Sequence, residues 1–168
     1  MKSSLFKPIY FLITGILLVS MVFIYINKVR EKQEFSILKD FTYTDVDGHT
    51  NMTKNLPQHD GYIIFLFNPG CEVCHKEAED ISVNLDHFRN CCILYLSPDS
   101  LNRIKSFVYK YHLHENENVF YGQINIDTIG AKFGISKIPS VLVYDKNRKL
   151  KKSGFFFTVQ EIEKNLSK

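Results

Sequence analysis

Two cysteines separated by two residues, Cys71 and Cys74, are the side chains in this sequence best suited to redox chemistry. Where a helix begins at such a motif, the free main-chain amides and the positive end of the helix dipole stabilise a thiolate on the first sulfur. Cys71 is therefore the candidate nucleophile. Cys74 is one helical turn further on, where it can attack a mixed disulfide formed by Cys71 and release the product. Two buried or metal-binding cysteines are the alternative interpretation.

A buried strand and a helix are predicted to position these cysteines. Residues Tyr62–Phe67 form a continuous apolar run, which is typical of a strand buried on both faces of a sheet. From Cys71 to Phe88, apolar or small residues recur at intervals of three and four, which predicts an amphipathic helix. The motif therefore lies where a central strand, after a Pro-Gly turn, is followed by a helix.

Further strand and helix patterns alternate along the chain, as they do in βαβ units. A hairpin is predicted over residues 41–53, because Asp47-Gly48 tolerates the positive φ of a tight turn. The other predicted elements are a strand at 91–96, a helix at 98–112, a strand at 119–124, a short helix capped by Asp127 and ended by Gly134, a strand at 141–144, a return strand at 150–157 and a final helix capped by Thr158. These patterns predict one α/β domain.

Two other chemistries fit parts of the motif. Cys71–His75 reads C-x-x-C-H, the pattern that attaches c-type haem through two thioether bonds and an axial imidazole. Two observations argue against haem: these cysteines follow a buried strand, and the haem iron would need a second axial ligand. A zinc site would need two further ligands, which would come from Cys91, Cys92, His112 and His114. Because no second pair has the spacing of a zinc knuckle, we expect no metal and no cofactor.

The composition excludes other classes of protein. The chain has 168 residues, 45% of them hydrophobic, which suits one domain with appendages. Its 21 Lys and Arg are interspersed with 18 Asp and Glu, whereas nucleic-acid-binding proteins concentrate cations on one face or tail. Four cysteines are too few for a disulfide-stapled miniprotein. We therefore expect no nucleic-acid partner and a chemical role for the closely spaced pair.

The uncharged apolar run Ile9–Ile26 predicts a transmembrane helix, since about 20 apolar residues cross the hydrocarbon core. The run exceeds the roughly 7 to 15 apolar residues of a signal peptide, and no A-x-A-like cleavage site closes it. A retained anchor is therefore favoured over a cleaved signal. The predicted organisation is a short tail at 1–8, the anchor at 9–26, a charged spacer at 27–34 and the domain at 35–168.

The charges that flank the apolar run nearly balance. Lys2 and Lys7 precede it, and three cations follow it within a spacer whose Glu31 and Glu34 dilute their charge. A short N-terminal tail commonly stays inside while the following domain is exported. We expect a single-pass protein of the cytoplasmic (inner) membrane with its domain on the extracytoplasmic side.

Two separated motifs carry a family resemblance. The first runs from Phe67 to Glu77 and contains both cysteines, and the second runs from Phe133 to Asp145 and contains Ile138-Pro139 before another strand. Over roughly residues 35–168 the chain resembles the thioredoxin superfamily, most of all its membrane-anchored, TlpA-like thiol-disulfide oxidoreductases, including those serving cytochrome c maturation. The resemblance implies a thioredoxin-like fold: a central mixed sheet flanked by helices, an N-terminal hairpin and an extra βα element.

The resemblance also implies roles for individual residues. Pro139 would be a cis-proline facing the Cys71–Cys74 disulfide, and Ile138 would present main-chain groups to an extended substrate. Glu77 matches a glutamate of the C-E-x-C-x-x-E version of the motif and could manage the Cys74 proton; the alternative is a solvated helix carboxylate. Two positions depart from the family, since Gly70 replaces the usual Trp and Phe65 replaces a buried Asp or Asn.

The predicted activity is thiol-disulfide exchange that reduces protein disulfides. Glu72-Val73 supplies no cation between the cysteines, so we expect a reductant or a neutral poise rather than a strong oxidant. The expected partners are disulfide-bearing protein substrates and an upstream thiol reductant. A haem electron carrier and a redox-inactive thioredoxin-like binding module are the alternatives.

The remaining candidate residues are predicted to have structural rather than chemical roles. Cys91 and Cys92 are adjacent in a buried strand, where neighbouring side chains point to opposite faces, so they should not bond to each other. His75 is expected to be a solvated or capping residue. Phe155–Phe157 could form an exposed docking patch, but three aromatics in an edge strand favour a buried position.

Overall fold

A computed structural model describes the backbone of residues 6–166 and the side chains of residues 10–28 and 34–166. Residues 1–5 of the predicted tail therefore lie outside the described residues. The chain divides into two compact units, residues 1–36 and residues 37–168.

The first unit is a single helix, α1 (Phe6–Glu34). Its segment Tyr10–Lys28 has a mean hydropathy of 2.1 and is long and apolar enough to cross a membrane. The apolar side chains along this segment are exposed. A membrane anchor and a signal sequence both have this length and composition. The predicted spacer 27–34 continues the helix.

The second unit alternates strands and helices. Its strands are β1 (Thr42–Asp45), β2 (Thr50–Met52), β3 (Gly61–Leu66), β4 (Cys91–Ser97), β5 (Val119–Gln123), β6 (Ser140–Asp145) and β7 (Leu150–Gly154). Its α-helices are α2 (Glu72–Val83), α3 (Leu101–Lys110), α4 (Ile126–Phe133) and α5 (Val159–Leu166). Short 3₁₀ turns lie at Thr53–Asn55, Leu85–Phe88 and Leu113–Glu115.

The seven strands form one sheet in the order β2-β1-β5-β4-β3-β6-β7. Strand β3 is parallel to β4 and antiparallel to β6, so the sheet is mixed and β3 lies inside it. The β1–β2 hairpin turns at Gly48, whose φ of 88° suits a residue without a Cβ. The predicted hairpin and mixed sheet are confirmed. Two strand–helix units, β4–α3 and β5–α4, separate α2 from β6.

Alternation along the central strands divides the core into two layers. Strands β3 and β4 are buried along their whole length. Ile63 and Phe65 pack in the layer that contains residues of α2, α3 and α5. Ile64 and Leu66 pack in the opposite layer, which contains residues of α4. With apolar contacts on both faces, β3 holds the loop that follows it in a fixed position.

Two details correct the sequence prediction. Asn125, not Asp127, caps α4, because its side-chain oxygen accepts the main-chain N–H of Asp127 at 2.8 Å. Strand β7 ends at Gly154 instead of continuing through the aromatics. Phe155 and Phe156 are consequently 57% and 38% exposed, so the core prediction was wrong for both, whereas Phe157 is buried.

Candidate active site

The cysteine motif begins at the carboxyl end of β3, in a loop that hydrogen bonds shape before α2 starts. The Asn68 side chain accepts the main-chain N–H of Gly70 at 2.8 Å, and the Asn68 carbonyl accepts that of Cys71 at 3.0 Å. Cys71 is the N-cap residue of α2, and its carbonyl accepts the N–H of His75 at 3.1 Å. The first sulfur therefore lies at the end of the helix where amide donors are free.

The two thiols have different environments. Cys71 is half-buried, whereas Cys74 is 2% exposed and belongs to the apolar layer under α2. Both are free thiols in this structure. Since an incoming disulfide can reach a half-buried sulfur but not a buried one, Cys71 is the thiol available for the first attack.

Their pKa values move in opposite directions. Burial acts to raise the pKa of Cys71, and so does the charge of Glu77. The N–H and thiol of Cys74, with the N–H of Val73, outweigh both and hold that pKa below its ordinary value. Burial raises the pKa of Cys74 to about 12, despite the main-chain amide of Asn68. The pair thus combines a thiolate-forming sulfur with one that keeps its proton.

Glu77 lies beneath this pair rather than in solvent. It is 3% exposed, so the alternative of a solvated helix carboxylate is wrong. Burial raises its pKa to about 8, although the main-chain N–H of Phe157 favours the ionised form. Its Oε1 atom is buried without a hydrogen-bond partner among the described residues. A carboxyl group with this pKa can accept and return a proton near neutral pH.

Tyr95 is a second buried polar group that the sequence prediction missed. It lies in β4 with its ring stacked on Phe65 at 4.6 Å between centroids. Its hydroxyl is buried and also lacks a hydrogen-bond partner among the described residues. Burial raises its pKa well above the ordinary value, and the charges of Glu77 and Cys74 raise it further. A tyrosine inside an otherwise apolar strand is a sequence signal, since a buried hydroxyl normally needs a partner.

His75 is held away from any haem-like role. Its Nδ1 lies 2.7 Å from the hydroxyl of Tyr111, and its ring packs on Phe107 with centroids 5.1 Å apart. It is thus half-buried and hydrogen-bonded rather than solvated. Haem attachment would need both sulfurs at the surface and a free imidazole, and buried Cys74 does not meet that requirement. The residues present therefore do not fit a c-type haem.

Gly70 makes room for a cation that the sequence prediction did not consider. A Cβ at this position would lie 3.1 Å from an Nη atom of Arg103 and 3.4 Å from Asn68 Oδ1. One Nη atom of the guanidinium therefore lies close to Gly70, the exposed residue that precedes Cys71. Arg103 also forms an ion pair with Asp99 at 2.6 Å, and this carboxylate largely neutralises the positive charge near the Cys71 sulfur.

Ile138 and Pro139 lie at the same edge of the sheet as the cysteine motif. Leu66, at the end of β3, pairs with Ser140, at the start of antiparallel β6, so Pro139 precedes the strand at that edge. The Ile138–Pro139 peptide bond is cis, the isomer that the resemblance implies. Pro139 is buried, and Ile138 is half-buried against the α4 layer. Their roles in substrate binding stay predictions.

The other two cysteines are separated by the sheet. Cys91 packs in the layer under α2 and Cys92 in the opposite layer, as strand alternation predicts. Burial raises the pKa of Cys91 to about 11 and that of Cys92 to about 12. Both therefore remain protonated core residues near neutral pH. Among the described residues, no group of three or more His, Cys, Asp or Glu side chains could hold a metal ion.

Comparison with known proteins identifies the family. The model of the AhpC/TSA family matches residues 36–153, which contain the cysteine motif, Glu77 and Pro139. The chain belongs to the AhpC/TSA family. A search of curated proteins finds no match. The family and the fold together identify a thioredoxin-like oxidoreductase.

Solved structures with a similar fold come from several organisms. A thioredoxin-like protein from Aeropyrum pernix is 15% identical, with 89% of this chain and 98% of that chain covered and a TM-score of 0.64. A secreted Mycobacterium tuberculosis disulfide oxidoreductase homologous to Escherichia coli DsbE is 17% identical, with coverages of 76% and 94% and a TM-score of 0.62. Peroxidoxin BcpB from the same organism is 17% identical, with coverages of 78% and 94% and a TM-score of 0.62. At these identities the likeness confirms the thioredoxin-like fold.

Proposed function

We propose that this chain is a membrane-anchored thiol-disulfide oxidoreductase that reduces disulfide bonds in extracytoplasmic proteins through Cys71 and Cys74. The observation that carries the proposal is the asymmetry of the pair. Cys71 is accessible and has a lowered pKa, whereas Cys74 is buried and its pKa is raised to about 12. Dithiol-disulfide exchange needs this division between an attacking and a resolving thiol.

The reaction has two exchanges. The Cys71 thiolate attacks one sulfur of a substrate disulfide, the substrate S–S bond breaks, and a mixed disulfide forms as one substrate thiolate leaves. Cys74 then loses its proton to Glu77 and attacks the Cys71 sulfur, which releases the second substrate thiolate. The substrate gains two electrons, and the protein is left with a Cys71–Cys74 disulfide. An upstream dithiol reductant must return those two electrons.

The local charges support a reducing direction. The Cys71 thiolate is stabilised by main-chain amides and a neighbouring thiol, while Glu77 opposes it. The nearby cation, Arg103, is already paired with Asp99. A strong oxidant needs a highly stabilised thiolate, because that stabilises its reduced form. These contacts favour a potential close to that of a reductant.

The proposed site of action follows from α1 and the chemistry together. Disulfides persist in oxidising compartments outside the cytoplasm, where a disulfide reductase finds its substrates. The apolar segment Tyr10–Lys28 supplies a means of retaining the domain at the membrane. A TlpA-like role, with substrates held near the same membrane surface, is consistent with this arrangement.

Replacing Cys71 with Ser is expected to slow reduction of a disulfide-linked fluorescent peptide at least about 100-fold, because the nucleophile is lost. The matched control is Cys91→Ser, which changes a buried cysteine in β4 and should retain most of the activity. Peptide release by the full-length chain with dithiol as electron donor measures both. Equal activity in Cys71→Ser and the parent would contradict the proposal, as would peroxide consumption without peptide reduction.

A further inference from the structure

An open cleft of about 960 Å³ lies at the edge of the sheet opposite the cysteine motif. Its lining includes Asp60, which precedes β3, and Lys146, in the turn between β6 and β7. The motif follows the other end of β3, and six strand residues span about 20 Å. The cleft is therefore separate from the proposed active site, and all the residues that line it belong to the second unit.

The cleft is cationic. Lys54, Arg89, Lys146 and Arg148 line it, and Asp60 is the one carboxylate in its lining. Two of these cations are already paired, Arg89 with Asp86 at 3.9 Å and Arg148 with Asp40 at 2.7 Å, which leaves the two lysines. Among the side chains that the structure describes, residues 10–28 and 34–166, neither Lys54 nor Lys146 forms an ion pair. Exposed lysines without counter-ions, gathered around one concave surface, attract anions.

Arg148 is fixed at this surface. Its Nη1 lies 2.7 Å from an Asp40 oxygen, and its Nη2 donates to the carbonyl of Thr53 at 2.7 Å. Its φ of 61° is unusual for a side chain of this size, so the turn holds it in a particular orientation. His59 also lines the cleft, and its Nε2 is buried without a hydrogen-bond partner among the described residues. Guanidinium and imidazole N–H groups are donors that phosphate oxygens accept.

The chain enters the domain beside this cleft. Ile37 pairs with Lys149 in an isolated bridge, and the N–H of Leu38 donates to the Arg148 carbonyl at 2.8 Å. Only residues 29–36 separate this point from the end of the apolar segment at Lys28. Six helical residues rise about 9 Å, and three more extend at most about 10 Å. Chain length alone therefore keeps the cleft's edge within reach of a headgroup layer.

We propose that this cleft and Lys149 bind the phosphate groups of anionic lipids in the membrane that holds α1. The inference rests on the proposed membrane anchoring. When the cleft end of the sheet binds the membrane, the opposite end, which carries Cys71 and Pro139, faces away from the bilayer and toward protein substrates. The occupant is a headgroup rather than a free anion because the short connection keeps headgroups at high local concentration.

The test uses the full-length chain in nanodiscs of phosphatidylcholine alone or of phosphatidylcholine mixed with phosphatidylglycerol. Acetylation rates of individual lysines are read by peptide mass spectrometry. Anionic lipid is expected to slow acetylation of Lys54, Lys146 and Lys149 at least about threefold at low salt, and high salt should abolish the effect. Lys137, exposed at the active-site edge, should be acetylated equally in both nanodiscs.

Charge reversal makes the test specific. In the double variant Lys54→Glu and Lys146→Glu, anionic nanodiscs should no longer protect Lys149, and its acetylation rate should equal that in phosphatidylcholine alone. The matched control is Lys105→Glu with Lys110→Glu, which makes the same charge change on α3 and should leave Lys149 protected. Equal rates in the two kinds of nanodisc would overturn the inference. Equal protection by inorganic phosphate in phosphatidylcholine nanodiscs would also overturn it, by assigning the cleft to a free anion.

The same samples separate this inference from the proposed function. Disulfide exchange is measured on each nanodisc preparation. Its absence would contradict the proposed function, but the acetylation rates would still show whether the cleft binds anionic lipid. A chain that does not enter the nanodisc fraction would contradict the anchoring and, with it, the docking.

Discussion

Replacing Cys74 with Ala is expected to convert a transient mixed disulfide into the main product of the reaction. Cys71 keeps its accessible sulfur in this variant, and the main-chain N–H groups of residues 73 and 74 still stabilise its thiolate after the hydrogen bond from the Cys74 thiol is lost. It can therefore still attack a substrate disulfide. No second thiol then lies one helical turn away to displace the substrate, so the adduct should persist at least about 100 times longer than in the parent. Mass spectrometry without reductant measures the covalent adduct and its decay.

The controls for this trapping experiment come from the other cysteines. Cys92→Ala removes a buried thiol on the opposite face of the sheet and should give no adduct. Cys71→Ala with Cys74→Ala should give none either, because the attacking sulfur is absent. A folded Cys74→Ala protein that accumulates no adduct would contradict the two-exchange mechanism.

Replacing Glu77 with Gln is expected to remove a pH-dependent step from the resolution of that mixed disulfide. Cys74 must lose a proton before it attacks, and Glu77, with a pKa of about 8, accepts it only when ionised. In the parent, resolution should accelerate as pH rises through about 8. In Glu77→Gln that inflection should disappear, and the rate at pH 9 should be at least about 100-fold lower. Rapid quenching followed by mass analysis gives the rates.

Glu77→Gln is expected to slow resolution without lowering stability, so its effect on proton transfer can be separated from its effect on folding. Burial raises its folded-state pKa from 4.5 to about 8, so ionisation disfavours the folded state. The free energy of unfolding of the parent should therefore fall as pH rises from about 4.5 through about 8. Glu77→Gln should lack this fall and be at least as stable as the parent at pH 9. Slow resolution in a stable variant cannot then be attributed to unfolding.

Tyr95→Phe is the matched control for Glu77→Gln. It removes a buried polar atom close to Glu77 that also lacks a partner among the described residues, and it preserves the stacked ring. A buried hydroxyl without a hydrogen bond contributes little, so its removal should be neutral or stabilising. Because Tyr95 stays protonated throughout this range, the inflection near pH 8 should remain. An inflection that survives in Glu77→Gln but is lost in Tyr95→Phe would assign the proton transfer to the tyrosine.

Patterns formed by residues close together in the sequence correctly predicted the strand and the helix that position the cysteine motif. The apolar run at Tyr62–Phe67 identified the buried strand, and the change to a spacing of three and four located the helix that begins after Cys71. Strand alternation assigned Cys91 and Cys92 to opposite layers of the core. Each of these features depends on residues a few positions apart, so a single sequence is sufficient to predict it.

Features that depend on distant packing were not predictable in the same way. Glu77 is 3% exposed, and the main-chain N–H that favours its ionised form belongs to Phe157, eighty residues later in the chain. The contact between Arg103 and Gly70 joins α3 to the loop before α2, and the hydrogen bond between His75 and Tyr111 joins α2 to the residue after α3. Phe155 and Phe156 were assigned to the core because aromatic composition favours a strand, but β7 ends before them.

The midpoint potential of the Cys71–Cys74 couple is the most direct test of whether this protein is a disulfide reductase. The full-length chain is equilibrated in dithiol buffers, and the redox state of each cysteine is read by alkylation and peptide mass. We expect a reversible two-electron transition at or below about −250 mV, near the −270 mV of thioredoxin. A midpoint near −120 mV would reverse the proposed direction of electron flow, and the lack of any reversible transition would contradict the oxidoreductase function itself.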